Sequence, residues 1–180
     1  MPITGTGWEI LIKRSATQKR RSDGKVRTIG SYQIFHDGVP VPGLAGTTAE
    51  SRGPGSNSVK GVRIAQGTYK LATQDGRKYC TIGYTSNANP AALRRPAVEL
   101  MGTGGRSEIL IHPGIGFLAS IGCINLCRSL PNADAAISFS GSRLRVIAMI
   151  EDMANFLRAG FPSRNGRAIP NAFAVIEGEP

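Results

Sequence analysis

Residues 108–114 of the chain read Glu-Ile-Leu-Ile-His-Pro-Gly, and residues 120–126 read Ser-Ile-Gly-Cys-Ile-Asn-Leu. The first segment opens with apolar β-formers, so it predicts a buried strand that ends near His112. Cys123 follows eleven residues after that histidine and is framed by a glycine and by Ile-Asn-Leu. The loop between them is long enough to fold back and bring the two side chains together.

This combination of residue types favours nucleophilic catalysis. A cysteine attacks as its thiolate, and its ordinary pKa near 8.5 leaves only a few per cent ionised at neutral pH. An imidazole beside it can take the proton and leave a thiolate–imidazolium pair. Taken alone, Cys123 is more simply a small buried thiol, and His112 a satisfied polar group at a strand end. Together with the nearby glycines, they predict a catalytic site.

The glycines matter because acyl transfer needs backbone N–H groups directed at the developing oxyanion. Gly122 can adopt dihedral angles that other residues adopt only at a cost. We therefore expect the backbone N–H groups of Gly122 and Cys123 to form the oxyanion hole.

A histidine on a strand followed by Ser-x-Gly-Cys-Ile-Asn resembles the signature of the L,D-transpeptidase catalytic domain, the YkuD-type fold. The family pattern is a histidine, a variable loop, Ser/Thr-His-Gly-Cys, an apolar residue, and Arg or Asn. Here Ile121 replaces the second histidine, and the loop is short. The shorter L,D-transpeptidase-like antibacterial effectors of type VI secretion share both departures. A second, weaker likeness covers residues 62–71, where Ala65 stands in place of the usual proline.

The resemblance implies a peptidoglycan-modifying cysteine enzyme that acts on tetrapeptide stems without a cofactor. His112 would take the proton of Cys123, whose sulfur would form an acyl-enzyme. An amine would resolve it by transpeptidation or D-amino-acid exchange, and water by L,D-carboxypeptidase action. Ser120, Asn125 and Gly114 would support this site.

The amino terminus lacks the basic and apolar regions of a secretory signal. With the short motif loop, this favours an antibacterial effector that a secretion apparatus delivers to the bacterial periplasm or cell wall, with an immunity protein as partner. Two alternatives stay open. One is another cysteine amidase or peptidase on the same scaffold, and the other is a non-catalytic, phage-derived binding module.

Composition limits these options. A chain of 180 residues fits one domain, residues 1–180, and 23 glycines with 11 prolines indicate a turn-rich β structure. No window approaches the apolar length of a membrane span. The net charge of +10 suggests an anionic partner or surface. The basic clusters Lys13-Arg14 and 19–21 carry no interleaved aromatics and no nucleic-acid-binding motif is present, so we expect a solvated loop and no specific nucleic-acid partner.

Three cysteines are too few for a disulfide framework. Cys127 lies four residues after the nucleophile, but a zinc site wants four ligands and only His112 is nearby, so we expect no metal site. Cys127 and Cys80 are expected to be packing and strand residues, and His36 to be structural or exposed.

The remaining pattern predicts a mainly β fold, of the sandwich or barrel-like L,D-transpeptidase type. Apolar residues at three-to-four spacing predict one long amphipathic helix over 144–157, capped by Ser140 or Ser142 and ended by Gly160. A Gly-, Pro- and Ser-rich stretch at about 40–58 predicts a mobile loop. Strands are predicted at 8–13, 26–35, 61–73, 78–84, 98–101 and 172–176, with that of His112 between the last two.

Overall fold

The computed structural model describes residues 3–180. The strands among these residues are β1 Trp8–Lys19, β2 Val26–His36, β3 Val39–Ser51, β4 Gly67–Thr73, β5 Tyr79–Cys80, β6 Arg95–Pro96, β7 Val98–Leu100, β8 Leu110–Pro113, β9 Ile124–Cys127 and β10 Ala168–Glu177. Eight of them close into a barrel in the order β1-β10-β4-β7-β8-β9-β3-β2, and β5 and β6 form a separate two-stranded sheet. One helix, α1 Phe139–Leu157, precedes a 3₁₀ turn at Arg158–Gly160. The predicted mainly β fold with one long helix near the C-terminus is confirmed.

The barrel interior is filled by apolar side chains that alternate along the strands. The fully buried members include Trp8, Ile10, Ile34, Leu71, Ile111, Ile124, Leu126 and Ala174. Helix α1 packs against β8 and β9 and contributes Val146, Met149, Ile150 and Met153 to the same core. The strands that carry the predicted site are therefore fixed by a core that they share with the helix.

The start of α1 differs from the prediction. The N-cap is Ser138, whose side chain accepts a hydrogen bond from the N–H of Gly141. The helix thus begins before the apolar period does, because a cap depends on one well-placed oxygen rather than on burial. Ser142 lies inside the helix, where its hydroxyl donates to the carbonyl of Leu126 and accepts from the N–H of Gly114.

The loop predicted at about 40–58 is wrong for its first part, because β3 runs through Ser51. Although this segment is rich in glycine and proline, it forms a strand that pairs with β2 along most of its length. Asp37 and Gly38 both have positive φ and form the tight turn between these strands. At Gly46 a side chain would collide with the carbonyl of Cys127 and the ring of Tyr32, so this glycine serves close strand packing. Two predicted strands are shorter than expected, with 61–66 and 81–84 outside strands.

The prediction of a solvated basic cluster is wrong for Arg14. Its guanidinium is buried and forms a bidentate ion pair with Glu50 at 2.7 and 2.8 Å. Burial is tolerated because Glu179 and the carbonyl of Ile64 accept two further N–H groups of the guanidinium. β1 also extends to Lys19, so only residues 20–25 form the turn. Within residues 3–180, no helix has the length and apolar character needed to cross a bilayer.

Candidate active site

Strands β8 and β9 bring the predicted nucleophile and base together. They run parallel, with Ile111 opposite Ile124 and His112 opposite Asn125. Since Ile111 and Ile124 fill the core, their neighbours in sequence face the outer side of the barrel. Extending the register by one residue places Cys123 opposite Leu110, two residues before His112, so Cys123 and His112 lie on the same outward face.

The sulfur of Cys123 is bound to the backbone that leads into β8. Sγ accepts a hydrogen bond from the N–H of Leu110 at 3.3 Å and donates to the carbonyl of Glu108 at 3.4 Å. Glu108 has a positive φ of 54°, which is uncommon for a residue with a side chain. In this conformation the thiol is directed at the strand backbone rather than at His112.

The ring of His112 is buried, with 3% of the residue exposed. Its Nδ1 lies 2.8 Å from the carbonyl of Pro113. A carbonyl can only accept, so Nδ1 carries the proton and Nε2 keeps the lone pair. The ring of Tyr79 covers the imidazole, with 4.6 Å between the ring centroids.

The protonation states of the pair follow from burial. Burial lowers the pKa of His112 to about 4, an effect that the carbonyl of Pro113 opposes and the guanidinium of Arg95 reinforces. Burial also raises the pKa of the Cys123 thiol, and the N–H of Leu110 and the charge of Arg106 only partly oppose it. These directions favour a neutral thiol beside a neutral imidazole, not the expected thiolate–imidazolium pair. Proton transfer would have to accompany attack on a substrate.

Two of the three predicted supporting residues bond to this pair's backbone, and the third, Gly114, packs against one of them. Ser120 Oγ donates to the carbonyl of Cys123 at 2.5 Å. The Asn125 amide donates to the carbonyl of His112 and accepts from the N–H of Ala119. Gly114 lies so close to Asn125 that an added Cβ would stand 2.8 Å from its side-chain atoms. Together these contacts fix the loop against β8.

The geometry of the predicted oxyanion hole differs from the expectation at one of its two members. The N–H of Gly122 donates to Ser51 Oγ at 2.9 Å, in a buried position. It is therefore already paired with the barrel, and the N–H of Cys123 stays the candidate donor. Gly122 has a φ of +107°, and a side chain there would overlap the guanidinium of Arg106. The need for glycine thus comes from close packing as much as from backbone conformation.

A pocket of about 330 Å³, which we call the thiol pocket, opens beside the sulfur. Its walls include Gln74, Arg77, Lys78, Tyr79, Glu108 and Cys123. A second cavity of about 230 Å³ lies on the other side of Glu108 and includes Lys60, Arg106 and the exposed Ile121. Cys123 is the half-buried cysteine of the chain, whereas Cys80 and Cys127 are buried. The predicted nucleophile is therefore the thiol that a ligand in this pocket could reach.

Sequence reasoning missed three residues near the pair. Tyr79 lies against His112, Arg106 holds the carbonyl of Ile121, and Glu99 is close enough to raise the thiol pKa. Burial also raises the pKa of Glu99 itself. A local signal existed only for Glu99, a lone carboxylate within a short apolar strand.

The other candidates from the sequence take structural positions. His36 Nε2 lies 2.8 Å from Asp152, which also accepts from Trp8 Nε1, and the His36 ring stacks on Phe156. Burial raises the pKa of the Cys127 thiol to about 12. Among residues 3–180, no group of three or more His, Cys, Asp or Glu side chains is placed to hold a metal ion.

Comparisons of the chain with protein-family models, with curated proteins and with solved structures find no match.

Proposed function

We propose that this protein is a cysteine enzyme that modifies the tetrapeptide stems of peptidoglycan, as an L,D-transpeptidase or L,D-carboxypeptidase. One observation carries the proposal: the Cys123 thiol lines an open pocket on the same sheet face as a buried, neutral imidazole. A nucleophile, a base and space for a ligand are the minimum that acyl transfer requires. The substrate class is supported by the resemblance of the Ser120–Asn125 motif to the L,D-transpeptidase signature.

In the proposed reaction, rotation of the Cys123 side chain breaks its contact with the Glu108 carbonyl and turns Sγ towards His112. Nε2 takes the thiol proton as the sulfur bonds to the substrate carbonyl carbon. The N–H of Cys123 stabilises the oxyanion. Collapse breaks the carbon–nitrogen bond, and the leaving amine takes the proton from His112. Water or an acceptor amine then attacks the thioester and releases the thiol.

The Cys123 thiol is held by the strand backbone and the His112 ring is neutral and covered. This arrangement supports a mechanism in which substrate binding activates the thiol. A neutral His112 keeps its Nε2 lone pair at neutral pH, but its lowered pKa makes it a weaker base than a free imidazole. The Cys123 thiol therefore stays protonated until an electrophile reaches it. Because Tyr79 covers the imidazole and also lines the thiol pocket, a bound peptide would meet this ring before it meets the base.

The proposal extends to the delivery of the protein. It would be an effector that a secretion system exports to the periplasm, with an immunity protein as partner, and the short motif loop supports this.

The same observations favour one competing function. A thiol held by the strand backbone and an imidazole under a tyrosine ring also fit a non-catalytic binding module that retains the fold. Such a module would bind a peptide without changing its mass. Turnover therefore separates the two functions.

The experiment is incubation of tetrapeptide muropeptides with wild-type protein, with Cys123→Ala and with Cys127→Ala, followed by mass spectrometry. We expect the wild type and Cys127→Ala to remove or exchange the terminal residue, and Cys123→Ala to leave the substrate unchanged. The buried Cys127 is the matched control for loss of a thiol. Absence of any mass change with the folded wild type, or equal turnover by Cys123→Ala, would refute the proposal.

A further inference from the structure

Two exposed cations line the thiol pocket. Arg77 and Lys78 lie in the turn between β4 and β5 and line the same cavity as Cys123. Glu108 supplies the carboxylate among the lining residues. The charged side chains that line the pocket therefore comprise two cations and one anion.

The turn that carries these cations is fixed. The N–H of Gly76 donates to the carbonyl of Tyr79 at 2.9 Å, and the N–H of Arg95 donates to the carbonyl of Lys78 at 2.9 Å. A side chain at Gly76 would approach the Gln74 amide to 2.8 Å, so the turn is closely packed. A fixed backbone reduces the entropy lost when the two side chains hold a ligand.

The acidic residue of the turn does not cancel these charges. Asp75 pairs with Arg94 at 2.9 Å, on the side of the two-stranded sheet. Arg95 adds a further positive charge behind the pocket wall, with its guanidinium 4.6 Å from the Tyr79 ring centroid. The positive charge of Arg77 and Lys78 is therefore available to a ligand in the pocket.

We infer that Arg77 and Lys78 bind the free carboxylate of the substrate residue that follows the scissile bond. This inference rests on the proposed function and adds a specificity to it. A guanidinium holds a carboxylate through two parallel hydrogen bonds, and an ammonium adds a second charge. A peptide whose terminal carboxylate is free gains both contacts, whereas one in which that group is an amide gains neither. The site thus selects terminal residues over internal bonds.

The kinetic test uses two peptides of the same sequence, one with a free terminal carboxylate and one with a terminal carboxamide. In the double variant Arg77→Gln/Lys78→Gln we expect KM for the free acid to rise by about tenfold and kcat to stay within about twofold. Turnover of the carboxamide should not change. Lys60→Gln, which removes a cation from the neighbouring cavity, is the matched control and should leave both peptides unaffected.

A second test does not depend on turnover. Cys123 is alkylated with iodoacetate, which is anionic, and with iodoacetamide, which is neutral and similar in size. We expect the rate with iodoacetate divided by the rate with iodoacetamide to fall by about two- to fivefold in the double variant. The same ratio should be unchanged in Lys60→Gln.

The outcomes separate the two claims. An unchanged ratio, or an equal rise in KM for both peptides, overturns the inference while leaving the proposed function standing. A reduced ratio with no turnover of any peptide by the wild type refutes the proposed function and supports anion binding at this turn.

Discussion

The buried imidazole of His112 makes the stability of the protein depend on pH in a way that can be calculated. Its pKa of about 4 lies well below the ordinary value of 6.5, so the folded state keeps the ring neutral. As pH falls below about 6.5, the unfolded chain takes up a proton first, which favours unfolding. The stabilisation is fully present above that pH and is lost as pH falls towards 4. The shift corresponds to a loss of about 2 kcal/mol at pH 5 and about 3 kcal/mol at pH 4.

Urea unfolding at a series of pH values measures this loss. Trp8 is the one tryptophan of the chain and is fully buried, so its fluorescence reports the transition. His112→Gln removes the titrating ring and should lower stability at pH 7, but its curve should fall less steeply between pH 7 and pH 4. The variant His36→Gln keeps His112, so its free energy of unfolding should fall more steeply between pH 7 and pH 4 than that of His112→Gln. Parallel curves for wild type and His112→Gln would refute the assignment of a buried neutral imidazole.

Two further predictions concern the framework around the site. Gly122→Ala should destabilise the protein by about 1–3 kcal/mol more than Gly116→Ala in thermal unfolding, because both glycines have positive φ but only the first would drive a methyl group into Arg106. Equal losses of stability in the two variants would mean that backbone strain alone explains the glycine at position 122. Glu50→Ala should cost about 3–5 kcal/mol in urea unfolding, since it leaves the Arg14 guanidinium buried without its main partner. A loss below about 1 kcal/mol would show that water or Glu179 takes over that charge.

The sequence was most informative where pattern and structure depend on the same few neighbouring residues. The strand of His112 and the helix follow from apolar periodicity, and Asp37-Gly38 from turn chemistry. β3 was missed because its glycines and prolines read as loop, while its stability comes from the ladder with β2 and the close packing at Gly46. No local pattern encodes such partners.

The site shows the same division. Cys123 and His112 could be named from spacing, and strand pairing places them on one face. The protonation of His112 could not be predicted, because it depends on burial under Tyr79 and on the charge of Arg95, which lie far from it in sequence. The hydrogen bond of Gly122 to Ser51 likewise joins residues 71 positions apart. Long-range contacts therefore determine the protonation of His112 and the pairing of the Gly122 N–H, which the local motif could not predict.

The most direct measurement of the central claim is the rate at which Cys123 reacts with iodoacetamide in wild type and in His112→Gln. Peptide mapping by mass spectrometry reports each thiol separately, and circular dichroism confirms that the variant is folded. Exposure alone predicts that Cys123 reacts before Cys80 and Cys127, so the order of labelling is not decisive. Iodoacetamide takes the place of the substrate electrophile: if His112 takes the thiol proton as Sγ attacks it, the variant should react at least about tenfold more slowly at pH 7. An unchanged rate in the folded variant would contradict a catalytic pair.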